Sequence, residues 1–267
     1  MLHTAPDARP RVCSFAVWVF PLGAAVVALV FAALLGAQFV RRRRPFQAAW
    51  TLALLMYAVA SFAMFLGVQD GWSTGEYRVY WLFGAILNVP WLAMGELYLL
   101  VRDRRVTSTL LILLLFATAF AVARVRTGTL DPTALGKDLP LGKDAWAGDT
   151  LPYRLSQLYA YPAYVVLLLG TGWSVWRMRG QPAVRDRMMG TVLVAVGATI
   201  VAIGSGVGAG LDVVPLFSAG LLVGIAVMFW GFVLASRGPR RSATATPATR
   251  AASPAPARRG TDPSAPR

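Results

Sequence analysis

Residues Tyr77 to Val101 read YRVYWLFGAILNVPWLAMGELYLLV. A helix crosses the ~30 Å hydrocarbon core of a bilayer with about 20 apolar residues, and this stretch is long enough to do so. It nevertheless carries Asn88, Pro90 and Glu96, which a purely lipid-facing span avoids. Six further stretches are as apolar: Ser14 to Val40, Phe46 to Val68, Val106 to Val122, Tyr153 to Trp176, Met188 to Ala209 and Val213 to Ser236. Most of these are Leu, Val, Ala and Gly. The expected fold is therefore all-α, an integral membrane bundle of seven transmembrane helices over residues 14–236. A polar lead, 1–13, precedes it. An Ala-, Pro- and Arg-rich tail, 237–267, follows, too poor in large apolar residues to fold and so expected to be disordered.

Composition agrees with a non-aqueous solvent. Hydrophobic residues make up 57% of the 267 positions and charged residues 14%, well below the roughly 25% charged of soluble domains. The single cysteine, Cys13, excludes an intramolecular disulfide and a multi-cysteine metal site. With His3 as the only histidine, zinc-protease helices and Ser-His-Asp triads are excluded as well. No metal and no cofactor is expected.

The net charge of +14 is carried by arginines at the ends of apolar segments and in the tail. That is a pattern for orienting a membrane protein, not for binding nucleic acid. Arg41 to Arg44, Arg102 to Arg105, Arg177 to Arg187 and Arg237 to Arg241 fall on one face. The positive-inside rule puts that face in the cytoplasm, with the N-terminus outside and the chain in the cell membrane. The same arginines can hold anionic lipid headgroups. The apolar run after Met1 to Arg11 is too long for a signal peptide and ends in four arginines instead of a small-residue cleavage site.

Between the fourth and fifth spans, Arg124 to Pro152 form a long connection rich in Gly, Pro, Asp and Thr. It contains a short repeat, Leu135-Gly136-Lys137-Asp138 and Leu141-Gly142-Lys143-Asp144, with the only lysines of the chain. The expectation is a drifting surface loop with a local duplication.

Polar residues inside the spans are the candidates for a site. On a helical wheel Tyr77, Trp81, Gly84, Asn88, Trp91, Gly95 and Tyr98 form one stripe. The Asn88 amide needs a partner in hydrocarbon, so it either fixes helix packing or lines a ligand pocket. Pro90 lacks an N–H, frees the carbonyl of Ile86 and is expected to kink the helix there. In the fifth span Tyr153, Gln157, Tyr161, Tyr164 and Thr171 share a face. The candidate ligand-binding residues are Asn88, Trp91, Trp81, Gln157, Tyr161 and Tyr164. Glu96 is either a general acid or an anchor to the arginines at 102 to 105. Gly204, Gly206, Gly208, Gly210, Gly220 and Gly224 give small-residue spacings for close approach of the last two helices, and Asp212 is placed in a solvated turn.

The layout is similar to that of microbial rhodopsins, but the last span, PLFSAGLLVGIAVMFWGFVLAS, has no lysine for a retinal Schiff base. Ala49-Trp50-Thr51-Leu52-Ala53, Ser61-Phe62, Tyr80-Trp81-Leu82 and Pro90-Trp91 resemble the seven-helix sensor region of bacterial histidine kinases. That likeness implies a signalling role exercised through a separate signalling protein, because only a short tail follows here. The stretch from Tyr77 to Leu100 also looks like an uncharacterised type of actinobacterial seven-helix membrane protein. A further likeness, to membrane-bound seven-helix terpene cyclases, implies Glu96 as the acid, with Trp81, Trp91, Tyr161 and Tyr164 facing a carbocation. The leading expectation is a non-enzymatic, sensor-like or accessory protein that binds a small apolar or amphipathic ligand. The alternative is a membrane enzyme acting on a lipid or isoprenoid with Glu96 as general acid. Transport ranks third, since no inverted repeat is evident.

Overall fold

The computed structural model describes residues 11–136, 140–179, 185–210 and 214–236. Its seven long helices are α1 (Arg11–Arg42), α2 (Pro45–Asp70), α3 (Thr74–Leu100), α4 (Arg104–Thr127), α5 (Leu151–Met178), α6 (Arg185–Gly210) and α7 (Val214–Ser236). Each contains a segment long and apolar enough to cross a membrane, and there is no strand among the described residues. The first ten residues of the lead, Lys137 and Asp138 of the repeat, Asp212 and the tail lie outside the described residues.

The helix ends follow from local chemistry. Two arginines turn the chain from α1 into α2, Arg43 with a positive φ of 51° and Arg44 extended, and Pro45 then opens α2 with its φ already set. Ser73 and Glu76 form a reciprocal cap at the start of α3: Glu76 N donates to Ser73 Oγ at 3.2 Å and Ser73 N to Glu76 Oε2 at 3.0 Å. The polar turn expected through Glu76 is thus already helical from Thr74. Asp103 caps α4, accepting from Arg105 N at 2.8 Å, and α4 runs to Thr127, beyond the Val122 expected. Asp149 Oδ1 accepts from Leu151 N at 3.1 Å at the start of α5.

Six helices close into a ring in the order α1–α2–α3–α5–α6–α7, and α4 lies outside it against α3 and α5. Tyr57 of α2 reaches α7, its hydroxyl donating to the Leu221 carbonyl at 2.9 Å. Phe31 of α1 packs on Phe229 and Phe232 of α7, ring centres 5.5 and 4.9 Å apart. The α6–α7 contact is the most extensive and is built on glycine. A Cβ at Gly190 would strike the Gly231 carbonyl, one at Gly197 would lie 2.6 Å from the Gly224 carbonyl, and Gly204 and Gly220 meet Cα to Cα. Gly204, Gly220 and Gly224 behave as the sequence leads one to expect. Gly206 meets nothing within 4 Å, while Gly190, Gly197 and Gly231 do the work of close approach that the spacing alone did not assign to them.

The connection between α4 and α5 is not a drifting loop, which corrects the expectation from sequence. Trp146 is fully buried, Ala134, Leu135 and Ala145 are buried with it, and Tyr77 donates to the Pro140 carbonyl at 3.3 Å. Gly142, in the second copy of the repeat, lies directly under the Trp81 indole. Asp131 is tied down too, since hydrogen bonds from the Thr133 hydroxyl and backbone hold its carboxyl below the ordinary range. Burying an indole stabilises by roughly 2–3 kcal/mol, enough to hold a loop that its polar composition alone would leave free. The connection covers the end of the bundle opposite the arginine-rich turns.

Gly197→Ala is expected to destabilise the protein by about 1–3 kcal/mol, the usual range for overpacking. Gly206→Ala should stay within about 0.5 kcal/mol of wild type. Thermal unfolding of both in the same detergent is the check, and equal shifts would refute the glycine contact.

Candidate functional site

The third span is helical throughout, but its middle is not α-helical. From Trp81 to Leu87 the backbone bonds i to i+5, a π segment that ends just before Asn88 and Pro90. Pro90 supplies no N–H to Ile86 and its ring crowds that carbonyl, and the widened turns are where the backbone accommodates this misfit. The extra residue per turn also shifts the helix phase, so the stripe read from the wheel divides. Tyr77 and Trp81 turn to the α4–α5 connection and the start of α5, where Trp81 Nε1 donates to the Pro152 carbonyl at 3.2 Å. Tyr77 stacks on Trp81 at 5.8 Å and contacts Trp146 at 6.2 Å. Gly84, Asn88 and Gly95 turn to α2.

At that α2 face two hydrogen bonds run in opposite directions. Asn88 Nδ2 donates to the Ala53 carbonyl at 2.9 Å, and Trp50 Nε1 of α2 donates back to the Leu92 carbonyl at 3.0 Å. Gly95 is what lets the Trp50 ring in, because a Cβ there would sit inside the indole. Of the two roles open to Asn88, the geometry places its donor on backbone. Trp91 is buried and its Nε1 has no acceptor among the described residues.

Glu96 is 6% exposed and makes no hydrogen bond or ion pair among the described residues, including none to Arg102, Arg104 or Arg105. Its carboxyl lies against Gly170 of α5, where a Cβ would come 2.7 Å from its Cγ and 3.2 Å from Oε1. The glycine makes the room that the carboxyl occupies.

The fifth-span candidates separate. Gln157 Nε2 donates to the Tyr153 hydroxyl at 3.1 Å, one turn back on the same helix. Tyr161 is 65% exposed on the outside of the ring, remote in direction from Asn88. Tyr164 donates to Thr199 Oγ1 of α6 at 3.0 Å, and Thr199 in turn donates to the Ala195 carbonyl at 2.9 Å. Thr199 and Ala195 belong to a groove of about 400 Å³ between α5 and α6, walled by Leu168, Thr171, Gly172, Val175, Val192, Val196 and Ile200 as well. A second groove, about 340 Å³ on the α6–α7 face, is wholly aliphatic apart from Trp230.

The seven sequence candidates are therefore not brought together. Asn88 and Trp81 are spent on backbone carbonyls, Tyr161 faces outward, and Tyr164 alone borders a groove, through Thr199. The sequence reading overlooked Thr199, Gly172 and Gly170. Thr199 lies one helix turn from Ala195 in a span that also carries Thr191 and Ser205, so nothing in the sequence singles it out. Among the described residues no three His, Cys, Asp or Glu side chains gather into a metal-binding group. Comparison with protein-family models, characterised proteins and solved structures finds no match to this chain.

Asn88→Ala and Trp50→Phe are each expected to cost about 0.6–2 kcal/mol, the range for interhelical hydrogen bonds in membranes. Gly95→Ala should cost more, since it evicts an indole. A double-mutant cycle read by thermal unfolding in detergent measures the coupling of the first pair, and strict additivity would show the two bonds to be independent.

Proposed function

We propose that the protein is a multi-pass protein of the cell membrane that binds one small apolar or amphipathic molecule in the α5–α6 groove and acts as a non-enzymatic sensor or accessory protein. The observation that carries this reading is the groove itself. Its walls are aliphatic, and the hydroxyls of Thr171 and Thr199 are the side-chain polar groups bordering it. Binding sites for apolar ligands have this constitution, an apolar surface with few polar groups to set orientation. The α5–α6 contact is also thin beside the α6–α7 contact, so a chain-like molecule can enter sideways from the lipid. Signal output then passes to a separate signalling protein at the arginine-rich end.

Orientation follows from charge. Arg41 to Arg44, Arg102 to Arg105 and Arg177 to Arg187 cluster at one end of the bundle, which we place in the cytoplasm together with the C-terminus. The connection docked on Tyr77 and Trp81 is then extracytoplasmic.

A second reading draws on one specific feature, the buried Glu96 carboxyl without a partner among the described residues. Such a group suits a general acid acting on a lipid or isoprenoid, with Gly170 leaving space beside it. In that case turnover disappears in Glu96→Gln while the fold persists.

Gly172→Leu separates these readings, because a Cβ at that position has no neighbouring element within 4 Å and the added side chain occupies part of the groove that Gly172 lines. Native mass spectrometry of the detergent-purified protein, followed by extraction, should find a stoichiometric apolar molecule in wild type and in Asn88→Ala but not in Gly172→Leu. Retention in Gly172→Leu would refute the groove as the site. For orientation, a phosphatase that works only outside the cytoplasm, fused after Arg267, should be inactive in intact cells; activity would invert the topology.

A further inference from the structure

The α5–α6 groove ends on charge. Val175 and Val192 line its end nearest the arginine-rich turn. Arg179 follows Val175 by about 6 Å of helix rise on the same face of α5, and Arg185 precedes Val192 by about 10 Å on the same face of α6. Both side chains are exposed, and neither is ion-paired among the described residues. Asp186, also exposed, is the one acid described at this edge. An excess of unpaired guanidinium groups at the mouth of an aliphatic groove is complementary to a molecule with an apolar chain and an anionic head.

Two aromatic rings fix the depth at which chain gives way to head. Trp173 and Trp176 pack together with ring centres 5.2 Å apart and are 54% and 60% exposed, on the side of α5 turned from the groove and level with its Val175 end. Indoles settle at the headgroup level of a bilayer, with their apolar bodies inward and their N–H groups wet. The groove below them is therefore at acyl depth and the arginines beyond them at phosphate depth. At the other end the groove is bounded by Thr199, which Tyr164 engages, so the polar end of an occupant has a charged partner only on the arginine side.

We propose that the occupant is an anionic phospholipid. One acyl chain lies along Leu168, Gly172 and Val196, and its phosphate is held by Arg179 and Arg185. Arginine suits this task because its planar fork can give two N–H bonds to one phosphate while remaining charged. The inference rests on the groove reading given above and names the ligand class for it.

The test titrates detergent-purified protein with dioleoyl phosphatidylglycerol or dioleoyl phosphatidylcholine and follows the first bound lipid by native mass spectrometry. Wild type should bind the anionic lipid about tenfold more tightly, given roughly fivefold at most per arginine near an anionic headgroup. The double variant Arg179→Gln, Arg185→Gln should bring the two lipids to parity, and Gly172→Leu should abolish the first binding event for both. If wild type binds both lipids equally while Gly172→Leu still blocks them, the phosphate inference is overturned and the groove reading stands. If Gly172→Leu leaves phosphatidylglycerol binding unchanged, the lipid rests on the arginines alone and both fall. Melting temperatures of the variants, compared with wild type, identify a loss of binding caused by unfolding.

Discussion

The two opposed hydrogen bonds between α2 and α3 are the constraint on which the rest of the bundle depends. Asn88 gives its amide to α2 and Trp50 gives its indole N–H to α3, so each helix both donates and accepts within about one turn. In hydrocarbon there is no water to take over if the helices separate, and both donors would be left unpaired. This fixes the register of α3 against α2. Once α3 is set, the π segment determines where Tyr77 and Trp81 face, and through them where the α4–α5 connection docks. On the same side of α2, one turn beyond Ala53, Tyr57 carries the same register across to α7.

The ring is uneven around its circumference. Between α6 and α7 the contact is backbone on backbone, with glycines opposed along nearly the full length of both helices. Between α5 and α6 it is a line of small aliphatic residues joined by the Tyr164–Thr199 hydrogen bond and interrupted by a groove. Close van der Waals contact is the main cohesive force between helices in a membrane, so the seam with fewer contacts is the weaker one. The geometry of a ligand site and the mechanical asymmetry of the bundle thus have one origin, in where the glycines fall.

The seven helices were legible in the sequence because an apolar run of that length has few other destinations. The Asn88 interaction was legible as a need but not as a partner: the acceptor is the Ala53 carbonyl, and every residue carries a carbonyl. The π segment hides for a related reason, since a wheel drawn at one constant period has no place for an extra residue. The docked connection was misread because its composition is that of a loop. What decides its fate is the single residue Trp146, together with the glycine that admits Trp81. The groove could not be read at all, because which helices neighbour one another in a ring is not written in hydropathy.

Four indoles in this protein pack against a glycine: Trp72 on Gly67, Trp50 on Gly95, Trp81 on Gly142 and Trp146 on Gly128. In each pair the large partner fills the space that the small one vacates. An alanine at the glycine leaves no room for the ring, and a smaller residue at the tryptophan leaves a void that the fixed backbone cannot close. Neither half can drift alone without loss, so these eight positions should be inherited as four units. Among distant relatives each tryptophan ought to vanish only where its glycine has vanished too, a signature by which kin of this chain can be recognised even when overall resemblance has faded.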